Sequence, residues 1–193
     1  LDSHPLIPRT ETEYWVDIVI KEIKERGIKN PKILDLCAGS GCIGVSVLKE
    51  IPDALVDFAE IDTTHHSTIE RNVIENIGET SRIQIFGGNL FEEITGEYDF
   101  ILSNPHYINP ELSFSIDENV LKFEPKKALF GGRDGLEIIK EILSHASKYL
   151  KSVGMIYLEH EPEQTQALSK NPLYLNTRQD QYGIDRFSTF LSR

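Results

Sequence analysis

Asn104-Pro105-His106-Tyr107 follows an apolar run, Tyr98 to Ser103, that reads as a β-strand, and these four residues carry the chain's most specific chemical signal. An amide or aromatic amino nitrogen is a poor nucleophile because its lone pair is delocalised into the neighbouring π-system. Two fixed acceptors, the Asn104 side-chain oxygen and the Pro105 carbonyl, suit the two N–H protons of such a group. Held that way, the nitrogen is aimed at an electrophile and its pyramidalisation in the transition state is favoured. Tyr107 offers a ring that can stack on the planar group. The alternative is a turn that ends the strand over a core tyrosine. Its place at the carboxyl end of a strand, where α/β folds bind ligands, favours chemistry.

A second signal is the strand Ile33 to Leu36 running into Cys37-Ala38-Gly39-Ser40-Gly41 and then a helix. Glycines in such a turn let the backbone approach a ligand closely. At the end of the next strand, Glu60 can accept both hydroxyls of a ribose. Asp62 falls on the same strand face, so spacing alone leaves both carboxylates open. Gly39, Gly41 and Gly44 also satisfy the dinucleotide pattern Gly-x-Gly-x-x-Gly. Asp35 ahead of the loop, together with the Asn104 motif, favours S-adenosylmethionine over a dinucleotide.

The elements that must position these residues follow from periodicity. Thr10 to Arg26 is expected to be an amphipathic helix, with Thr10 and Glu13 as a capping box and Trp15, Ile18, Val19 and Ile23 on one stripe. Strands are expected at Lys32–Leu36, Leu55–Ile61, Arg82–Phe86, Tyr98–Ser103 and Val153–Glu159, with helices reaching Glu50, over His65–Ile77 and over Asp134–Leu150. In the last of these Asp134 and Glu137 stand as N-cap and N3. A short helix is expected near Gln164, and Leu173–Thr177 with Phe187–Leu191 suggest a hairpin around Gly183. The alternation implies an α/β fold with a mainly parallel sheet, closed by that antiparallel hairpin. Residues 109–133 form a long connection after the Asn104 motif, of the kind that serves as a lid or binding segment.

The bulk composition narrows the partners. The net charge of −11 argues against direct binding of a nucleic-acid backbone and suits a basic protein or a small molecule. No apolar run is long enough for a membrane helix, and the opening residues do not have the pattern expected of a signal peptide. Two cysteines, Cys37 and Cys42, make neither a disulfide framework nor a zinc site, so no metal is expected and an intracellular compartment, cytoplasm or an organelle such as the mitochondrion, is. His65 and His66 read as solvated, Lys126-Lys127 as an exposed pair, and His160 as structural.

These segments together resemble the glutamine methyltransferases that modify peptide-chain release factors, the HemK/PrmC type. Leu6-Ile7-Pro8-Arg9-Thr10-Glu11-Thr12-Glu13 is similar to that family's Ile-Pro-Arg-Pro-Glu-Thr-Glu. Leu34 to Ile43 is similar to its cofactor loop, Asn89-Leu90-Phe91 to its Asp-Leu-Phe, and Asn104 to Tyr107 to its Asn-Pro-Pro-Tyr. Ala128 to Leu136 is similar to its Ala-Leu-x-Gly-Gly-x-Asp-Gly-Leu. The first and last of these segments are far more family-specific than Asn-Pro-Pro-Tyr, which other amide and adenine methyltransferases share.

The resemblance implies a Rossmann-like class I methyltransferase fold with a seven-stranded sheet. It implies methyl transfer from S-adenosylmethionine to the glutamine side-chain amide in the Gly-Gly-Gln loop of a release factor. It places Cys37, Ala38, Gly39, Ser40, Gly41, Glu60, Asn89, Leu90 and Asn104 around the cofactor, Glu60 taking the ribose position when counted back from Asn72. It places Asn104, Pro105, His106 and Tyr107 on the substrate, with Asn104, Pro105 and Tyr107 catalytic. Residues 1–193 are read as one catalytic domain, with the family's N-terminal helical substrate-recognition domain expected to be absent. Three departures stand out: that absent domain, Asn89 in place of an aspartate, and His106 in place of the second proline; Thr10 also stands where the family's first segment has proline. His106 loosens a turn that proline would lock and adds a titratable ring. Two other readings remain open at this level: a nucleic-acid amino-methyltransferase gripping a flipped base, and a cofactor-binding module without catalysis.

Overall fold

In a computed structural model that describes residue 3, residues 5–105 and residues 135–192, helix α1 (Thr10–Arg26) leads into β1 (Lys32–Leu36), α2 (Cys42–Glu50) and β2 (Leu55–Ala59). Helix α3 (His66–Ile77), β3 (Ile83–Phe86) and β4 (Tyr98–Ser103) follow. Beyond the undescribed residues come α4 (Glu137–His145), β5 (Leu150–Glu159), a short helix Thr165–Leu168, and the hairpin β6 (Tyr174–Gln179) and β7 (Asp185–Leu191). Among the described residues seven strands make one sheet in the order β3-β2-β1-β4-β5-β7-β6. The five strands β1 to β5 are parallel to one another, and β7 inserts antiparallel between β5 and β6. The doubly wound sheet with its terminal hairpin is the architecture that the alternation implies.

Strand alternation divides the core between the two faces. Ile33, Phe58, Phe100, Tyr157 and Phe187 pack with the buried stripe of α1 (Trp15, Val16, Val19, Ile20, Ile23) and with α2. Leu34, Leu36, Ile101, Ile156 and Phe190 face the other way, onto Ile139, Ile142 and Leu143 of α4. Central parallel strands buried on both faces explain the near-continuous apolar runs of β1 and β4. No helix among the described residues is long and apolar enough to cross a membrane.

Several boundaries differ from expectation, each for a visible reason. Thr10 does not cap α1: Arg9 holds the cap position without a side-chain bond to the helix N-terminus, and Thr10 Oγ1 instead donates to Glu11 at 3.1 Å. Glu137 is the first residue of α4 and Leu136 its cap position; Asp134 lies outside the described residues. That helix stops at His145, followed by a 3-10 turn, Ala146–Lys148. Leu150 is taken into β5 by pairing with Tyr98, so the strand begins before Val153. The register then shifts between Tyr98 and Phe100, and Val153 turns through left-handed backbone at φ 60°. Strand β2 ends at Ala59, two residues short of the expected Ile61. The next residues turn aside because the Glu60 carboxylate accepts from the Asp62 N–H at 2.9 Å and Asp62 caps a 3-10 turn, Thr63–His65.

Candidate functional site

The strand order reverses between β1 and β4, which run parallel from Ile33 opposite Phe100 to Leu36 opposite Ser103. The helices that come after them, α2 and α4, pack on opposite faces of the sheet, and at such a reversal the carboxyl ends of the strands border a crevice. Ser103 Oγ donates to the Leu36 carbonyl at 2.6 Å and pins the two ends together where the chain diverges.

The turn from β1 into α2 passes through left-handed backbone at Cys37 (φ 61°), Gly39 (φ 56°) and Gly41 (φ 75°). A Cβ at Gly39 would meet nothing within 4 Å, so this peptide edge is open to a ligand. Gly41 and Gly44 serve packing instead. A Cβ at Gly41 would come within 3.1 Å of Ile69 Cγ2, and one at Gly44 within 2.3 Å of Phe58 Cε1. The loop is held from three sides. Asn72 Nδ2 donates to the Ser40 carbonyl at 2.9 Å, the Ala38 N–H donates to the Ala59 carbonyl at 3.1 Å, and the Gly44 N–H donates to Asp35 Oδ2 at 2.8 Å. Asp35 is fully buried, its Oδ1 has no partner among the described residues, and burial pushes its carboxyl up to about 8, against the lowering effect of the Gly44 bond.

Glu60 and Asp62 are distinguished by what they already hold. Glu60 is 8% exposed; its Oε2 accepts from the Gly39 N–H at 2.8 Å and its Oε1 from the Asp62 N–H. Each oxygen keeps a lone pair for a further donor. Asp62 Oδ1 accepts from the Thr64 N–H at 3.0 Å and the Thr64 hydroxyl at 2.6 Å, and these bonds lower its pKa.

A cavity of about 420 Å³ opens over this loop. It brings together Cys37, Ala38, Gly39, Ser40, Glu60 and Asn104 of the expected site, with Asp62 beside them. Gly41 sits just behind the lining as the cap position of α2, and Pro105 is buried next to Asn104. Asn89 and Leu90 line a different hollow, with Phe91, Glu92 and Tyr149. His106, Tyr107 and the 109–133 connection lie outside the described residues.

Under Asn104 runs a buried hydrogen-bond chain. The Asn104 amide nitrogen donates to Thr12 Oγ1 at 3.1 Å, the Thr12 hydroxyl donates to Glu159 Oε2 at 2.7 Å, and Trp15 Nε1 donates to the same oxygen at 2.6 Å. Burial pushes the thiols of Cys37 and Cys42 up to about 12, so neither is a thiolate nucleophile at neutral pH. His160 is fully buried away from the cavity lining, bonded to Ser188 Oγ at 2.7 Å and the Glu161 carbonyl at 2.8 Å, and burial lowers its pKa.

The cavity also takes in residues for which sequence reasoning assigned no such place. Leu6, Pro8 and Thr12 come from the segment before and into α1, so the family-specific motif at residues 6–13 forms a wall of the site. His65 corrects an expectation: it is not solvated but 8% exposed, lines the cavity, and its Nδ1 has no hydrogen-bond partner among the described residues. His66 is tied to the Glu60 carbonyl at 2.9 Å.

Comparison with known proteins agrees with this geometry. The family described as "Methyltransferase small domain" matches residues 14–122. The release factor glutamine methyltransferase of Borreliella burgdorferi is 38% identical over 169 residues, covering 87% of this chain and 57% of that protein. The release factor glutamine methyltransferase of Streptococcus pneumoniae is 36% identical over 194 residues, covering 96% of this chain and 67% of that protein. The chain thus spans 57% to 67% of the length of these relatives. Among solved structures, a methyltransferase from Pyrococcus furiosus superposes with a TM-score of 0.62 at 17% identity, covering 90% of this chain and 82% of that one. The T. thermophilus 16S rRNA N2 G1207 methyltransferase, solved with AdoMet and guanosine, superposes with a TM-score of 0.66 at 14% identity, covering 97% of this chain and 44% of that one, a likeness of fold. With a sheet wound in the class I order, an acidic residue strapped to a glycine turn, and relatives more than a third identical along nearly its whole length, the chain belongs to the release factor glutamine methyltransferase family.

Proposed function

We propose that this chain binds S-adenosylmethionine over the β1–α2 turn and methylates the side-chain amide nitrogen of the glutamine in a release factor's Gly-Gly-Gln loop. The observation that carries the reading is the convergence of Gly39, Glu60 and Asn104 on one cavity at the reversal of strand order. The residues present fit such a cofactor. The cavity has the volume of a small-molecule site, the Gly39 edge is open, and Glu60 has lone pairs left for the ribose hydroxyls. The cofactor supplies an electrophilic methyl group on a sulfonium sulfur.

The chain's own residues do the rest. Asn104 Oδ1 and the Pro105 carbonyl accept the two amide N–H bonds of the glutamine, orienting its nitrogen and favouring loss of conjugation as the new N–C bond forms. No strong base is needed beforehand, because the methylated nitrogen is cationic and sheds its proton to solvent. His106 and Tyr107 complete the grip on the planar group in this reading. A release factor as substrate places the enzyme where translation occurs, in the cytoplasm or an organelle.

Incubation with methyl-labelled S-adenosylmethionine and a release factor tests this directly. Label confined to the Gly-Gly-Gln glutamine by mass spectrometry is the expected result. Label on nucleic acid instead, or cofactor binding without transfer to any acceptor, would overturn the assignment.

A further inference from the structure

We infer that Thr12 is a positioning residue for methyl transfer, its hydroxyl fixing the Asn104 amide with the NH₂ group toward Thr12 and the oxygen free for the substrate. The inference rests on the proposed role of Asn104, and its logic is one of hydrogen-bond direction. An asparagine amide has two orientations of almost equal shape but opposite chemistry. Turned the wrong way, Asn104 would present N–H groups to the N–H groups of the glutamine, donor against donor.

The buried chain excludes that orientation. An ionised carboxylate only accepts, so the 2.7 Å contact between Thr12 and Glu159 Oε2 uses the single proton of the Thr12 hydroxyl. Thr12 Oγ1 has only lone pairs left, and the group facing it at 3.1 Å must be the Asn104 NH₂. The polarity starts at Glu159, which is 1% exposed and, as a buried acceptor, is met by donors. Trp15 provides another at 2.6 Å to the same oxygen, and Trp15 is itself fixed by stacking on Phe187 with ring centroids 5.7 Å apart. Three elements meet at this point: Thr12 and Trp15 from α1, Glu159 from the end of β5, and Asn104 just past β4. The segment before and into α1 therefore does more than wall the cavity; it sets which face of Asn104 the substrate meets.

The test uses Thr12→Val, nearly isosteric and without the hydroxyl, and Thr12→Ser, which restores it. Thr12→Val is expected to lower kcat roughly tenfold or more while the S-adenosylmethionine Kd stays within about twofold. Thr12→Ser is expected to recover kcat to within about threefold of the parent. In the substrate-free protein, the ¹⁵N–¹H resonances of the Asn104 side-chain amide, assigned by their loss in Asn104→Asp, are expected to be protected from solvent exchange and to lose that protection in Thr12→Val. Unchanged protection in Thr12→Val overturns the inference, as does a Thr12→Ser protein as slow as Thr12→Val. Should the parent chain methylate no release factor, the proposed function fails, and the amide spectrum still decides whether Thr12 orients Asn104.

Discussion

Replacing Asp35 by asparagine should flatten the pH dependence of folding stability over the neutral range. Asp35 lies under the β1–α2 turn with Oδ2 accepting from the Gly44 N–H at 2.8 Å and Oδ1 without a partner among the described residues, and burial raises its pKa from 3.8 to about 8. A carboxyl whose folded pKa lies above its unfolded value holds its proton longer when folded. Its contribution to stability is complete below the unfolded value of 3.8 and is lost as pH rises through the folded value near 8. Within that window the loss accrues with each pH unit, so between roughly pH 5 and 7 this one group should withdraw on the order of 3 kcal/mol. The amide oxygen introduced by Asp35→Asn can still accept from Gly44, so the contact that ties α2 to β1 survives while the titration vanishes. Other carboxyls shift in opposite senses: burial raises Glu161, whereas Asp180 is lowered despite a desolvation effect that raises it, by the N–H groups of Ile184 and Tyr182. The informative quantity is therefore the difference between parent and variant in urea unfolding free energy at the two pH values, not either slope alone. Parallel pH dependences for the two proteins would mean that Asp35 is already ionised when folded, and the reasoning would fail.

Glu60→Ala should weaken S-adenosylmethionine binding by about 1.5 to 3 kcal/mol in a calorimetric titration, since it removes charge-assisted acceptors and frees the Gly39 N–H. Asp62→Ala should act less, because that carboxylate caps the turn at Thr64; the reverse ranking would refute the ribose assignment. Asn104→Ala should lower kcat for the release factor about a hundredfold with little change in cofactor Kd, the pattern for a group acting mainly in the transition state. Gly44→Ala should destabilise the fold by about 1 to 3 kcal/mol or more, because its Cβ would fall 2.3 Å from the Phe58 ring. A denaturation midpoint equal to the parent's would show that α2 can move off β2 at no cost.

The fold was legible wherever an element is fixed by its own apolar pattern. β1 and β4 are buried on both faces, and their bounds match the apolar runs that announce them. Boundaries set by distant partners were not legible. Nothing local tells Leu150 to leave a helical pattern and pair with Tyr98, and nothing local shows that Glu60 will accept from Asp62 and end β2 early. Glycine spacing was a guide to the turn but not to the division of labour within it. Only the positions of Phe58 and Ile69 reveal that Gly41 and Gly44 serve packing while Gly39 stays open.

The same distinction explains which site residues could be found. Asn104 and Glu60 stand at strand ends, where the fold itself predicts ligands, but spacing did not separate Glu60 from Asp62; only the bonds that each carboxylate already makes distinguish them. Thr12 was legible in part. It lies three residues before Trp15 and seven before Val19, on the stripe that α1 buries, and a lone polar residue on an apolar stripe must find a partner. That partner, Glu159, lies 147 residues away at the far end of another strand, a separation that periodicity does not bridge. His65 was not legible at all. A histidine pair at the start of a helix has the pattern of a solvated cap, and only the turn that Asp62 closes carries the first ring under the cavity. Polar residues that act through tertiary partners are thus where a site extends beyond its motif. Here they trace one line, from Glu159 through Thr12 to Asn104, that joins the family-specific N-terminal segment to the residue proposed to hold the reacting nitrogen.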